Sequence, residues 1–472
     1  MAARRRRVET PPMGREPEPG GARGGAAWAD ASNVALLTDL YQLTMAQAYL
    51  AEGLTGPAVF SLFARRLPAG RNYLVAAGLE DALRTLEALR FEREALDWLA
   101  SLRLFDDRLL AWLAAFRFSG EVEAVPEGTP LFGGEPLLEL TAPIAEAQLV
   151  ETVLMNQIHL QTVAASKAAR VVTAARGRAV ADFGARRMHG ADAAVKVARA
   201  AYLAGCDSTS NVLAGRLYGI PLAGTMAHSW VQAHPSEIEA FRAFARTWPR
   251  TALLVDTYDT LRGVREVVRL AGEMGPEFRV AAVRIDSGDL LELSRAARRI
   301  LDEAGLEQVA IFASGGLDER AVDRLVRAGA PIAGFGVGSA MGVSDDAPAL
   351  DVAYKLVSYD GRERLKLSPG KELLPGPKQV FRVERGGKAE RDVLSRRGEE
   401  LPGRRLLVPV MRQGRRLPGP TLAEAREHAR RERERLPERL LSLDPADPPY
   451  PVEPSEGLRD LRDRLAAEHA AP

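Results

Sequence analysis

The sequence predicts an α/β protein: an irregular (β/α) barrel of parallel strands, with a second α+β domain built from the N-terminal and C-terminal segments. Three observations predict it. Short apolar runs recur at 179–183, 220–224, 252–256, 279–285, 309–313 and 332–335. They start roughly 25–40 residues apart, and each passes through a polar or glycine cluster into a helical stretch, as strand–helix units with crossovers do. Residue types suited to chemistry gather just after the runs, at the carboxyl ends of the expected strands, where barrel active sites form.

A chain of 472 residues exceeds what one apolar core serves, so about two or three domains are expected. Hydrophobic residues at 46% and charged residues at 27% are ordinary for a globular protein. Lys and Arg (64) nearly cancel Asp and Glu (63), which implies no polyanion-binding field and hence no nucleic-acid partner. The single cysteine, Cys206, excludes an internal disulfide and a cysteine-rich metal site, and a cytoplasmic location follows as the expectation.

Residues 1–30 are rich in Arg, Pro and Gly, without an apolar segment of the secretory kind, and read as a disordered leader. Residues 31–143 read as an N-terminal α+β domain. Asp39 is placed to cap a helix, with Gln42 three residues on, and Tyr41 near its start is either a packing tyrosine or an aromatic lid over a flat ligand. Val59–Phe63 reads as a strand, residues 78–117 as helical, and residues 121–140 as a small antiparallel unit with Gly and Pro turns. The stretch 144–175 is the most apolar, but Glu146, Gln148, Glu151, Asn156, Gln157, His159 and Lys167 interrupt it. It suits a buried helix and not a membrane span. The barrel domain is expected over residues 144–353. Residues 354–472 form a C-terminal segment returning to the first domain, with short strands at 354–357, 379–383 and 406–410. A charged helix over 421–440 is expected to be solvated and laced by internal ion pairs.

The strand ends supply the candidate chemistry. Asp256, Asp259, Asp286 and Asp289 are hard oxygen ligands suited to Mg²⁺ that is also held by substrate phosphates. Ser314-Gly315-Gly316 and Gly336-Val337-Gly338-Ser339 are consecutive glycine loops on the last two units, where barrels commonly hold phosphate. Lys167, Arg186 and Arg187 are cationic donors. Arg284 interrupts an apolar run just before Asp286, and a charge at that depth needs a partner or an anionic ligand. His228, one of six histidines, lies between the hydroxyls of Thr225 and Ser229 as a nucleophile or an acid/base. No hydrolase elbow, zincin motif, Walker loop or strand-following GxGxxG is present.

Seven stretches occur together and in order: Thr-Asp-Leu-Tyr-Gln-Leu-Thr-Met (38–45), Ala-Ser-Lys-Ala-Ala-Arg (165–170), Asp-Phe-Gly-Ala-Arg-Arg (182–187), Asp-Ser-Thr-Ser-Asn-Val (207–212), Gly-Thr-Met-Ala-His-Ser (224–229), Arg-Ile-Asp-Ser-Gly-Asp (284–289) and Gly-Val-Gly-Ser (336–339). In these the chain resembles the nicotinate phosphoribosyltransferases, type II phosphoribosyltransferases of pyridine-nucleotide salvage. The resemblance implies joining nicotinate to 5-phosphoribosyl 1-diphosphate, with Mg²⁺ as cofactor, ATP as co-substrate and His228 as the phosphorylated residue. It implies that Asp286 and Asp289 hold the metal and serve catalysis, with Asp256 and Asp259 as helpers. Tyr41 and Phe183 would sandwich the nicotinate ring, Tyr41 coming from the second subunit of a homodimer, and Arg186, Thr225 and Arg284 would line the same region. Gly315, Gly316, Gly338, Ser339, Ser287 and Lys167 would hold the phosphoribosyl group. Nicotinamide phosphoribosyltransferase shares part of this pattern. A barrel lyase or isomerase acting on a sugar phosphate, with His228 as acid/base, would predict no dependence on ATP.

Overall fold

The structure, a computed structural model, describes residues 29–30, 32–368 and 373–470; the leader lies outside them apart from its last two residues. Six strands, Ala179–Asp182, Ser208–Thr209, Ala252–Leu254, Ala282–Ile285, Ala310–Ser314 and Gly334–Val337, form one sheet in which every pairing is parallel. Their spatial order is 208–209, 179–182, 334–337, 310–314, 282–285, 252–254, which makes the sheet an open half-barrel. Five of the expected runs deliver a strand. The last is displaced to 334–337 because two of its four residues are glycines, which an apolar count overlooks.

The run at 220–224 is not a strand. Leu222 makes one bridge to Thr209, and Pro221, Leu222 and Gly224 are exposed. Pro221 has no N–H to give a ladder, and the neighbouring strand is only two residues long. In its place the chain crosses the rim of the half-barrel as an extended loop.

The apolar stretch at 144–175 becomes a short helix, Ile144–Leu149, and a long one, Glu151–Ala175. Its end is set by Arg176 and Gly177, both at positive φ (46° and 85°), the left-handed stop common at helix C-termini. The long helix belongs to two apolar cores. Val153, Leu154, Ile158 and Val163 pack into the N-terminal core. Ala164, Ala165, Ala168 and Ala169 face the half-barrel core, where small side chains permit close approach to the equally alanine-rich helix Ala191–Ala204. A side chain as buried as Leu154, 1% exposed, contributes about 2–5 kcal/mol relative to alanine.

The second domain is built from both ends of the chain. A seven-stranded antiparallel sheet runs in the order Arg362–Glu363, Val352–Tyr359, Pro57–Ala64, Pro136–Pro143, Glu121–Ala124, Val408–Arg412, Arg415–Arg416. The expected helical region resolves into Leu79–Ala88, Arg93–Ser101 and Asp107–Ala114, the last capped by Asp106 on Leu109 N–H. The hairpin Lys378–Arg385/Lys388–Arg396 does not join that sheet. It forms a four-stranded one with Arg404–Arg405 and Val452–Pro454.

The charged helix is Leu422–Glu434, closed by a capping box between Thr421 and Glu424. Arg430 pairs with Glu427 and Glu434 as expected of a solvated face. Its other face is docked: Glu432, 2% exposed, meets Arg404 at 2.7 Å, and the Arg426 guanidinium lies 4.4 Å from the centre of the Tyr202 ring. Among the described residues no helix is long and apolar enough to cross a membrane.

Candidate active site

A cleft of about 330 Å³ opens at the carboxyl ends of the parallel strands. Phe183, Arg186, Arg187, Asp286, Ser314, Gly315, Gly316, Gly338 and Ser339 line it, together with Asp345. Phe183 follows the strand 179–182 and is held by its neighbours. Its N–H donates to Val337 O at 2.9 Å. Buried Asp182 accepts from Gly184 N–H at 2.9 Å and from Thr209 Oγ1 at 2.8 Å.

The glycines are needed for space. A Cβ on Gly336 would lie 2.6 Å from the Phe183 ring, and one on Gly315, at φ +88°, would lie 1.8 Å from the Asp286 carbonyl oxygen. Only a residue without Cβ brings two backbones this close. Ser314 Oγ donates to Asp286 Oδ1, which ties the first glycine loop to the neighbouring strand end. Arg187 reaches toward Ser339 Oγ at 3.4 Å.

The His228 side is more lightly held. His228 opens a five-residue helix, His228–Gln232, and its Nδ1 lies 3.1 Å from Thr257 Oγ1; among the described residues Nε2 has no hydrogen-bond partner. Arg284 Nη1 donates to Thr225 Oγ1 at 2.6 Å, while among the described residues its buried Nε has no hydrogen-bond partner. Burial lowers the Arg284 pKa, Asp286 and Asp256 oppose that effect, and Arg186 adds to it. Asp256 Oδ2 accepts from Asp286 N–H at 2.9 Å and from Ser287 Oγ at 2.6 Å. Its buried Oδ1 has no hydrogen-bond partner among the described residues.

Several expected residues stand elsewhere. Asp289 is exposed, does not line the cleft, and accepts from Leu291 and Glu292 N–H at 3.0 and 3.1 Å. Asp259 likewise caps the helix Thr260–Met274 through Arg262 N–H. Both are helix N-caps, a role aspartate fills as readily as metal ligation. Asp39 stands at the N-cap position of Leu40–Ala51 but caps nothing with its side chain; it accepts from Thr152 Oγ1 at 2.6 Å.

Tyr41 is 45% exposed and borders a separate cavity with Asp39, Glu151 and His159; burial is the main reason its hydroxyl is pushed up to about 12. Lys167 is not a cation open to the cleft. It is 1% exposed and paired with Glu319, Asp345 and Asp346. Burial works against its charge, yet these hydrogen bonds raise its pKa above the usual lysine range. Burial also opposes ionisation of Asp346, but Lys167 and Arg71 bring it down to about 2. The residues that sequence reasoning passed over are Asp345 and Thr257. Thr257 sits in the polar cluster after the strand at 252–254 and was open to detection, whereas nothing local marks Asp345.

Among the described residues no group of three or more His, Cys, Asp or Glu is placed to hold a metal by itself. The partnerless Asp256 Oδ1 and the cleft-lining Asp286 nevertheless suit Mg²⁺, which binds through one or two carboxylates, waters and substrate phosphates.

A parallel half-barrel whose rim combines two glycine loops, arginines, an aromatic ring and strand-end carboxylates has the build of barrel enzymes, whose active sites lie at this end of the strands. Comparison with known proteins narrows this. Residues 36–159 match the nicotinate phosphoribosyltransferase (NAPRTase) N-terminal domain, and residues 178–359 match the nicotinate phosphoribosyltransferase (NAPRTase) family. The chain is 59% identical over 426 residues to nicotinate phosphoribosyltransferase pncB2 of Mycobacterium tuberculosis, covering 90% of this chain and 92% of that protein. It is 40% identical to the nicotinate phosphoribosyltransferase of Bacillus subtilis, covering 74% and 73%. The crystal structure of human nicotinic acid phosphoribosyltransferase superposes with a TM-score of 0.82 at 31% identity, over 91% of this chain and all of that one. The chain belongs to the nicotinate phosphoribosyltransferase family.

Proposed function

We propose that this chain transfers the phosphoribosyl group of 5-phosphoribosyl 1-diphosphate to nicotinate, forming nicotinate mononucleotide and diphosphate, with ATP consumed through a phosphohistidine at His228. The observation that carries the reading is the single cleft holding Phe183, Arg186, Asp286 and both glycine loops, in a chain whose relatives are named for nicotinate. The pyridine nitrogen attacks the ribose anomeric carbon with its own lone pair as the bond to diphosphate breaks, so no general base is required. The protein's work is to hold the 5-phosphate at residues 315–316 and 338–339, seat the ring against Phe183, and meet its carboxylate with arginine. Asp286 and Asp256 would hold Mg²⁺, which when bound neutralises charge on the leaving diphosphate.

His228, oriented through Nδ1 by Thr257, presents Nε2 as the nucleophile that takes the ATP γ-phosphoryl group while ADP leaves; water later cleaves the N–P bond. Tyr41 lies outside the Phe183 cleft of its own chain, and with Leu37 and Leu40 it forms an exposed apolar group. That supports a homodimer in which each Tyr41 completes the partner's ring sandwich.

The test is incubation with γ-labelled ATP and Mg²⁺ followed by assay of acid-labile phosphate, alongside turnover of nicotinate and nicotinamide. Label on the wild type, its loss in His228→Ala, and preference for nicotinate are the expected results. Unlabelled folded protein overturns the phosphohistidine, and preference for the amide overturns the acceptor.

A further inference from the structure

One ammonium joins the segments that leave both glycine loops. Lys167, in the long helix Glu151–Ala175, lies 2.6 Å from Glu319 Oε2, 2.9 Å from Asp345 Oδ1 and 2.7 Å from Asp346 Oδ1. Lys167 donates a hydrogen bond to Asp346 Oδ1 and is ion-paired with the other two carboxylates. Glu319 opens the helix that follows the loop at 314–316. Asp345 and Asp346 follow the short helix Ser339–Gly342 that leaves Gly338. Two arginines complete the cluster: Arg170 Nε lies 3.0 Å from Glu319 Oε1, and Arg71 Nη2 lies 2.9 Å from Asp346 Oδ1 and donates to Ser344 Oγ at 2.8 Å. Three cations thus face three carboxylates, and the cluster is neutral. Asp345 is the member that reaches the cleft, its side chain 50% exposed where Lys167 is at 2%.

We propose that Lys167 is a positioning residue for the phosphoribosyl donor: it anchors both glycine loops to one helix and cancels the carboxylate charge that would otherwise confront the phosphates. The inference rests on the cleft being the phosphoribosyl site. It differs from a role in fold stability alone because it makes substitutions at the two ends of one ion pair act in opposite directions. Without the Lys167 charge the wall of the cleft turns negative and repels an anion; without the Asp345 charge it turns positive and attracts one. A unit charge at the edge of a partly solvated site changes anion affinity by about fivefold, and the effect shrinks as salt is added.

The experiment is calorimetric titration of the full chain with inorganic diphosphate at low and high salt, for wild type, Lys167→Met and Asp345→Asn. The expected result is a Kd raised about fivefold in Lys167→Met, a Kd lowered in Asp345→Asn, and convergence of all three at high salt. Should Lys167→Met fail to fold, the sign in Asp345→Asn decides: tighter binding supports the inference and weaker or unchanged binding overturns it. Unchanged affinity in folded Lys167→Met also overturns it. Wild type that binds no diphosphate overturns both this inference and the reading of the cleft.

Discussion

The two sides of the site are built by opposite rules. On the glycine-loop side the charges are paired: Lys167 is caged by three carboxylates, with Glu319 Oε2 held by the ion pair alone, Ser314 bonds Asp286, and Gly315 sits against a neighbouring backbone with no room for a Cβ. On the His228 side they are left wanting. Among the described residues Arg284 Nε, Asp256 Oδ1 and Glu237 Oε1 are buried without hydrogen-bond partners, and the loop that carries Thr225 and His228 reaches the sheet through one backbone bridge and the Arg284–Thr225 hydrogen bond. Buried polar groups are normally paired, and an unpaired one has to be explained. The contrast teaches that the paired half is scaffold already in its binding shape. The unsatisfied half waits for charge and hydrogen bonds that a substrate, a phosphoryl group or a metal ion would bring.

The sharpest way to break this contrast is to disturb the preformed half. Gly315→Ala forces a methyl into the Asp286 backbone, and a displacement of this kind costs about 100-fold or more in kcat/KM. Steady-state kinetics on protein with a native circular dichroism spectrum measures it, and full activity would show that the loop is not rigid. A smaller effect is expected on the unsatisfied side. Thr225→Val removes a hydrogen bond from Arg284, which already lacks one, and should raise the KM for nicotinate about tenfold with little change in that for ATP. Equal changes in both would remove Thr225 from the acceptor site.

The smallest effect concerns Glu237, whose carboxyl is raised to about 7, chiefly by burial, with Arg262 opposing and Glu266, Asp259 and Asp256 adding to the shift. Its folded pKa lies above the unfolded value near 4.5, so the folded state holds the extra proton and stability falls as pH rises from about 4.5 to 7. Glu237→Gln cannot ionise, so its Tm should match wild type below about pH 4.5 and exceed it by about 2–4 °C at pH 8. A constant difference across that range would refute the assignment.

How much of this was legible depended on whether the determining contacts were local. The parallel strands were readable because an apolar run and its following polar cluster lie side by side in the chain, and the glycine loops because glycine marks its own geometry. The run at 220–224 misled because apolar composition does not count hydrogen-bond donors, and Pro221 lacks one. Asp259 and Asp289 stand as helix caps, and sequence does not separate the two roles because a carboxylate that caps a helix and one that binds a cation have the same local sequence. Lys167 was legible as a cation but not as a caged one, since Glu319, Asp345 and Asp346 lie more than 150 positions away. The pairing of the N-terminal strands with the C-terminal segment was anticipated in outline, whereas the separate four-stranded sheet around 378–396 was not, because register across such distances leaves no periodic trace.

The mixed parentage of the seven-stranded sheet has a consequence for how the protein is made. Pro57–Ala64 lies between Pro136–Pro143 and Val352–Tyr359, and Glu121–Ala124 meets Val408–Arg412 on its outer side. At a ribosomal pace of about 5–20 residues per second, the strand at 57–64 spends roughly 15–60 s with one edge uncovered before its second neighbour is synthesised. The whole half-barrel emerges during that interval. The nascent chain thus carries an unpaired, apolar strand edge through most of its translation, the kind of surface that recruits stray strands or a holding chaperone.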